Sequence, residues 1–355
     1  MIPYLALLAS TVCATFGSEA LKGNARVRSA GLWTAISLLV MFQGLRSTSI
    51  GTDTGNYKYM YDIVTTTQSI WVSTEIGYNA LNVSLSLLTG GYFPALQIAI
   101  SAIVVGFYCI GIVKMTSYRS IALLLFIFLG SYTFSFNAAR QGIAVAVCFL
   151  ALHFLVRRRA GPYFALVGVS ALFHYSAVVV LPLYFLSVTR IDWRFLVWVA
   201  IGIVAMMAFL QGAVEISAAL LNDRYAAYAG NHAGGGEVMV LFLVVQGGIL
   251  FWLRPKSGDN ETFYARLLGV YLIGLVPAVT SVFASSDPSG ILRLNAYFAH
   301  TAILLWPIAF YRIKAGEARA AFSFGIVCVM LSFFYMTTST FSNLAPYDIS
   351  SEILP

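Results

Sequence analysis

Pro94-Ala-Leu-Gln-Ile-Ala-Ile-Ser-Ala-Ile-Val-Val-Gly-Phe-Tyr-Cys-Ile-Gly-Ile-Val113 runs for twenty residues without a charge and is closed by Lys114. At about 1.5 Å per residue, a helix of that length covers the roughly 30 Å hydrocarbon core of a bilayer. Comparable runs fall at 2–21, 29–46, 119–136, 140–156, 194–211, 238–254, 265–284, 292–311 and 319–338. The chain has 355 residues, of which 59% are hydrophobic and 10% charged, and its mean hydropathy is +0.83. A soluble chain of this length has no interior large enough to hide so much apolar surface. The expected fold is all-α, a polytopic transmembrane helix bundle of about 10–12 spans. It forms a single integral-membrane domain over residues 1–355.

Charge sets the expected topology. Basic clusters at Lys22/Arg26/Arg28, Lys114/Arg119, Arg157–Arg159, Arg190/Arg194, Arg254/Lys256/Arg266 and Arg312/Lys314/Arg319 all fall on one side if the runs alternate. The positive-inside rule makes that side cytoplasmic. Sixteen of the twenty-one basic residues are then inside, and nine of the fourteen acids are outside with Arg46, Lys58, Arg140, Arg224 and Arg293. The net charge of +7 therefore speaks of membrane topology and not of nucleic acid. Ile2 to Phe16 lacks the basic stretch of a signal peptide and is read as a span. Cys13, Cys109, Cys148 and Cys328 lie in apolar runs with no Cys-x-x-Cys spacing, which fits small core residues better than a redox or metal site.

Two segments resist a simple count. Gly77–Gly90 is weakly apolar and too short to span, so it is read as an interfacial helix on the outer surface. The block 162–188 starts and ends beside inside clusters, with arms of only about thirteen residues. It is read as a short or re-entrant hairpin with Phe173-His174-Tyr175-Ser176 at its tip, near the outer face.

Polar residues gather at that same face. Gly44-Leu-Arg46 leads into Gly51-Thr52-Asp53-Thr54 and then Tyr57, Lys58, Tyr61 and Asp62. Asp53, in a plausible tight turn, can orient an arginine, bind sugar hydroxyls or act as a base; a merely solvated loop acid is the bland reading. Asn137 is read as the N-cap of the helix that carries Arg140 and Gln141. An arginine in a first helical turn opposes the dipole, so an anion bound there makes sense of it. Snorkelling to lipid phosphate is the competing account. His174 stands on the same side and suits a proton acceptor, whereas His153 is read as a core histidine. Arg224-Tyr225-x-x-Tyr228 lies in an outer loop, and Arg293, Tyr297 and His300 share a helical stripe that can line a cavity. The outer face has no paired-carboxylate motif for Mg²⁺, so no metal and no cofactor is expected.

Taken in order, Gly44-Leu-Arg46, Gly51-Thr-Asp53-Thr-x-x-Tyr57, Glu75-x-Gly77-Tyr78, Phe136-Asn137-x-x-Arg140-Gln141, Phe173-His174-Tyr175-Ser176 and Arg293-x-x-x-Tyr297-Phe298 resemble the EpsG family of bacterial polysaccharide polymerases, which are related in role to the Wzy O-antigen polymerases. Ala138-Ala139 departs from the bulkier aliphatic expected before Arg140. The resemblance implies a glycosyltransferase-type enzyme of the bacterial inner membrane. It would join undecaprenyl-diphosphate-linked oligosaccharide repeats into O-antigen or exopolysaccharide at the periplasmic face. Its partners would be the lipid-linked donor and acceptor, membrane lipid and a chain-length regulator. Arg140, His174 and Asp53 are the expected catalytic residues. Arg46, Thr52, Tyr57, Asn137, Gln141, Tyr175, Arg224, Tyr228, Arg293 and Tyr297 are the expected substrate contacts. A flippase or transporter of lipid-linked glycan and a membrane acyltransferase are the alternative classes.

Overall fold

The computed structural model describes residues 1–21, 25–67, 75–220, 236–258, 260–283, 290–313 and 316–353. Among them the regular structure is helical, and the only β pairing is an isolated bridge between Arg46 and Ile349. Two compact units emerge: Met1–Leu181 with Ala315–Pro355, and Pro182–Lys314.

In the first unit, α1 (Ile2–Ala20) lies against α2 (Ala25–Gly44), and α2 against α5 (Phe93–Met115). Helix α5 packs on α8 (Ala139–Leu155), and α8 on α9 (Ala160–Ala171). Small residues let these apolar helices approach closely, as in other helix pairs that have no hydrophobic driving force between them. A Cβ on Gly44 would stand 2.6 Å from the Ile98 side chain, and one on Gly111 2.7 Å from the Phe149 ring. By length and composition α5 suffices to cross a membrane, as do the helix Glu261–Phe283 and the stretch Arg319–Phe341. The pair α6 (Arg119–Phe128) and α7 (Ser131–Asn137) passes as a fourth span, bent by 41°. The bend comes at Gly130, whose φ of +74° is left-handed. The end of the apolar run 119–136 is therefore a separate short helix, α7.

The two segments that the apolar count left over have defined shapes. Residues 54–67 form α3 (Thr54–Thr67), and Ile76–Thr89 forms α4. Helix α4 buries Tyr78, Asn79, Asn82 and Ser86 and exposes Ile76, Leu87 and Leu88. That is the reverse of a water-facing amphipathic helix and the arrangement lipid favours. The hairpin is made of α9 and a 3₁₀ turn at Tyr175–Val180, with the Tyr163 hydroxyl donating across it to the Val180 carbonyl.

The C-terminal stretch straps the Gly44–Asp53 loop. After α17 (Glu317–Met336) the chain runs over the N-terminal helices. The Ser47 amide donates to the Asp348 carbonyl, Ser350 to Leu45 and Gly51 to Asn343, each at 2.9 Å. Tyr347 stacks on Phe42 at 4.0 Å and donates its hydroxyl to the Phe42 carbonyl.

The second unit holds α10 (Leu183–Leu186), α11 (Trp193–Leu220), α12 (Glu237–Trp252), α13 (Glu261–Phe283), α14 (Ile291–Leu294), α15 (Ala296–Ala299) and α16 (Ala302–Arg312). Its centre is α13, against which α11 and α12 pack. Gly274 admits Phe298, since a Cβ there would lie 2.3 Å from the Phe298 Cβ.

Candidate functional site

Three side chains separated widely in sequence meet in the first unit. Arg140 lies in the first turn of α8, Glu75 immediately precedes α4, and His174 sits at the hairpin tip. Arg140 Nη1 donates to Glu75 Oε2 at 2.6 Å, and His174 Nδ1 stands 2.7 Å from Glu75 Oε1. The Glu75 side chain is 6% exposed, while those of Arg140 and His174 are 25% and 29% exposed. A carboxylate is thus buried between two basic groups that keep a face open.

Local sequence explains the meeting. The Gly77 amide donates to the Leu172 carbonyl at 2.8 Å. A Cβ on Gly77 would itself come within 2.8 Å of that oxygen. Only glycine lets the start of α4 rest on the hairpin tip, and that contact sets Glu75 against His174. On the hairpin side, the His174 amide donates to the Ser170 carbonyl at 3.1 Å, and the backbone is extended at His174. The ring thereby leaves the helix path.

Electrostatics then fixes protons. Burial pushes the Glu75 carboxyl up, but its own backbone amide, the Arg140 guanidinium and the His174 ring outweigh that and hold it below its ordinary 4.5. An ionised Glu75 accepts only, so the hydrogen between it and His174 resides on Nδ1. In a neutral imidazole that leaves Nε2 as the acceptor, the tautomer that a base requires.

Two tyrosines complete the cluster. The Arg140 guanidinium lies 5.9 Å from the centre of the Tyr78 ring, and the Tyr57 side chain hydrogen-bonds to Arg140. The Tyr57 and Tyr78 rings meet edge to face at 5.9 Å.

Arg46 lies in a neighbouring arrangement. It is 3% exposed; Nη1 donates to the Gln43 carbonyl at 2.6 Å and Nη2 to the Phe136 carbonyl at 3.3 Å. The Phe136 ring lies under its guanidinium at 4.8 Å. Thr54 donates to the Ile50 carbonyl at 2.6 Å and also faces the Phe136 carbonyl.

Several expectations need correction. Asn137 does not cap α8; it ends α7, and the residue at the cap position is Ala138. The Asn137 Oδ1 accepts the Thr52 amide at 3.0 Å and its Nδ2 donates to the Ser342 carbonyl at 3.0 Å. It stitches the loop to the C-terminal strap because the helix junction at Ala138 already turns the chain. Gly51 makes room for this stitch: its φ is +93°, and a Cβ would stand 2.7 Å from Asn137 Oδ1. The anion expected at Arg140 is supplied in part by the protein's own Glu75. The carboxylate that joins Arg140 to His174 is Glu75 and not Asp53, whose carbonyl accepts the Tyr57 amide at the start of α3.

The remaining residues divide simply. Gln141 is buried beside Arg140, while Tyr175, next to His174, is 66% exposed. Arg293 and Tyr297 belong to the second unit. Their stripe is carried by the two four-residue helices α14 and α15, with Tyr297 and His300 buried. Arg224 and Tyr228 lie outside the described residues.

Glu75 is the residue that sequence reading passed over as a site member. A signal existed: between Asp62 and Asp192 it is the only acid in the chain.

No curated protein and no solved structure matches the chain. A family model does match, and it runs from residue 32 to residue 349 and so takes in Arg46, Glu75, Arg140 and His174 together. That coverage extends over nearly the whole chain, and the protein belongs to the EpsG family, a group of polysaccharide polymerase-type membrane proteins.

Proposed function

We propose that the chain joins undecaprenyl-diphosphate-linked repeat units into O-antigen or exopolysaccharide at the periplasmic face of the bacterial inner membrane. The observation that carries this reading is the cluster Arg140–Glu75–His174, which couples a cation suited to phosphate with a histidine of fixed tautomer.

In the reaction, a hydroxyl oxygen of the acceptor sugar attacks the anomeric carbon of the donor glycan. The bond from that carbon to the diphosphate oxygen breaks, and the lipid diphosphate leaves with the electron pair. The acceptor's proton passes to His174 Nε2. Glu75 keeps Nδ1 protonated and stabilises the imidazolium that forms, as a third group does for many histidine bases. Lipid diphosphate is already a good leaving group, so the larger task is to stabilise its charge. Arg140 retains donors beyond the one held by Glu75, and its Nε has no protein partner. A phosphoryl oxygen taken by another of these donors, with Nη1 still on Glu75, keeps the guanidinium paired throughout. His174 is preferred to Asp53 as the base because its ring is oriented by Glu75. The charge is met by arginines, so the reading calls for no metal.

The test is reconstitution. Purified protein in nanodiscs, given lipid-diphosphate-linked repeats in the presence of EDTA, should build a ladder of polymer. A well-folded protein that forms none, or that only moves the lipid between leaflets, overturns the reading. Activity lost to EDTA and restored by Mg²⁺ would show that arginines do not carry the charge.

A further inference from the structure

Gln43, fully buried on α2, donates through Nε2 to Ser135 at 2.8 Å and accepts from Ser101 at 3.1 Å. Gln97, one turn before Ser101 on α5, is 3% exposed, yet neither Nε2 nor Oε1 has a protein partner. Arg46 Nε is likewise buried without a partner. Among the described residues no carboxylate lies within ion-pair distance of Arg46. Its charge is met only by two carbonyls and a ring.

Both side chains line one small cavity, together with Thr54, Tyr57 and Ala139. Tyr57 is also the hydrogen-bond partner of Arg140, and Ala139 is its neighbour in sequence. The cavity has room for about one water molecule. A buried cation with no counter-charge and an unpaired amide beside it are costly unless something polar satisfies them.

We propose that this cavity is a phosphoryl-oxygen subsite, in which Arg46 and Gln97 donate to one terminal phosphate oxygen of the departing lipid diphosphate. That ligand name rests on the polymerase reading above. As the bond to the anomeric carbon breaks, the departing phosphate oxygen keeps the electron pair and becomes P–O⁻. The Gln97 N–H donates to that oxygen as it becomes P–O⁻. Arg46 Nε–H donates to the anionic oxygen. In the intact donor that oxygen is esterified to sugar and does not yet carry the negative charge these donors meet. The subsite therefore favours the leaving group over the substrate, which is the kind of differential binding that accelerates a reaction. Gln97 is absent from the motifs that mark Arg46, Arg140 and His174, and only burial identifies it.

The experiment uses the full chain in detergent with two probes, inorganic pyrophosphate and geranylgeranyl diphosphate, and reads affinity from ligand-induced thermal shift. Wild type should bind at least one probe. Gln97→Glu places a carboxylate against Arg46 and should weaken binding by tenfold or more, on the order of the loss of one charge-assisted contact. Gln97→Met removes two unpaired buried atoms, so it should fold at least as stably as wild type and also bind the probe more weakly. Whichever probe shows the stronger Gln97 dependence identifies lipid-linked or free phosphate as the source. Binding within twofold of wild type in both variants, or no binding by wild type, overturns the subsite. The polymerase reading fails separately: a chain that binds pyrophosphate through Gln97 yet builds no polymer keeps the subsite and loses the reaction.

Discussion

Glu75 Oε1 and His174 Nδ1 stand 2.7 Å apart although 99 residues separate them in the chain. The contact depends on a glycine two residues after Glu75 and on the hairpin that projects His174. One buried carboxylate thereby orients the proposed base and holds the nearby arginine.

Glu75→Gln tests that dual role. The variant keeps the side chain's size but loses the charge that fixes Nδ1–H and pairs Arg140. Loss of charge-assisted bonds in a partly dry site costs about 2–4 kcal/mol, or roughly 30- to 1000-fold in rate. The fall should appear mainly in kcat, because the group acts on the reacting proton more than on ground-state binding. A variant with wild-type kcat and a raised KM would make Glu75 a donor-binding residue instead.

The pH dependence follows from the same carboxylate. Its folded-state pKa lies below the ordinary 4.5. Its ionised partnership therefore contributes stability in full above about pH 4.5, and that contribution is lost as pH falls through the lower folded value. Thermal unfolding of wild type and Glu75→Gln should differ by a constant margin from neutral pH down to about pH 4.5 and converge below it. A margin that closes already between pH 7 and pH 6 would contradict the assignment.

Two glycines carry the geometry. Gly77→Ala pushes a methyl to 2.8 Å from the Leu172 carbonyl oxygen, where backbone must shift. Gly51→Ala adds a left-handed φ penalty to a clash with Asn137. Each should destabilise the protein by about 1–3 kcal/mol. Gly77→Ala should cut activity more than Gly51→Ala, since it displaces Glu75. Equal losses in activity at equal stability would separate the hairpin contact from catalysis.

The helix bundle was legible because apolar run length is dictated by bilayer thickness, and Pro94–Val113 is such a run in plain view. Arg140 and His174 stood out as polar residues at the ends of apolar segments. Glu75 entered only as part of the Glu75-x-Gly77-Tyr78 motif and without a role, because a lone acid before a weakly apolar stretch carries no sign of its partners. Its pairing spans 65 residues to Arg140, and nothing local announces it. The strap at 342–353 was equally hidden: Tyr4 donates to the Leu344 carbonyl across 340 residues. Gln97 was invisible inside its run, since only a folded interior reveals which amides lack partners. Asn137 misled for a physical reason, because Asn caps helices often but binds loop amides equally well.

Sidedness rests on the sixteen basic residues assigned to one face. Single cysteines at Asn56, Asn231 and Ser289 should react with a membrane-impermeant maleimide added outside intact cells. Cysteines at Ser257 and Ala315 should stay protected until the membrane is opened. Labelling of Ser257 in intact cells would reverse the assignment for the later half of the chain.

The central claim is that Arg140 holds the diphosphate while His174 takes the proton, and single-turnover kinetics with parallel donor-binding measurements on Arg140→Lys and His174→Gln test it most directly. Lysine keeps the charge but cannot hold Glu75 and a phosphoryl oxygen in one planar fork. Arg140→Lys should lose roughly 30- to 1000-fold in rate. His174→Gln should bind donor nearly as wild type and turn over slowly at every pH, having lost a general base worth about 10²–10⁴-fold. A folded Arg140→Lys protein with wild-type turnover, or a His174→Gln protein whose only defect is weak donor binding, would contradict the account.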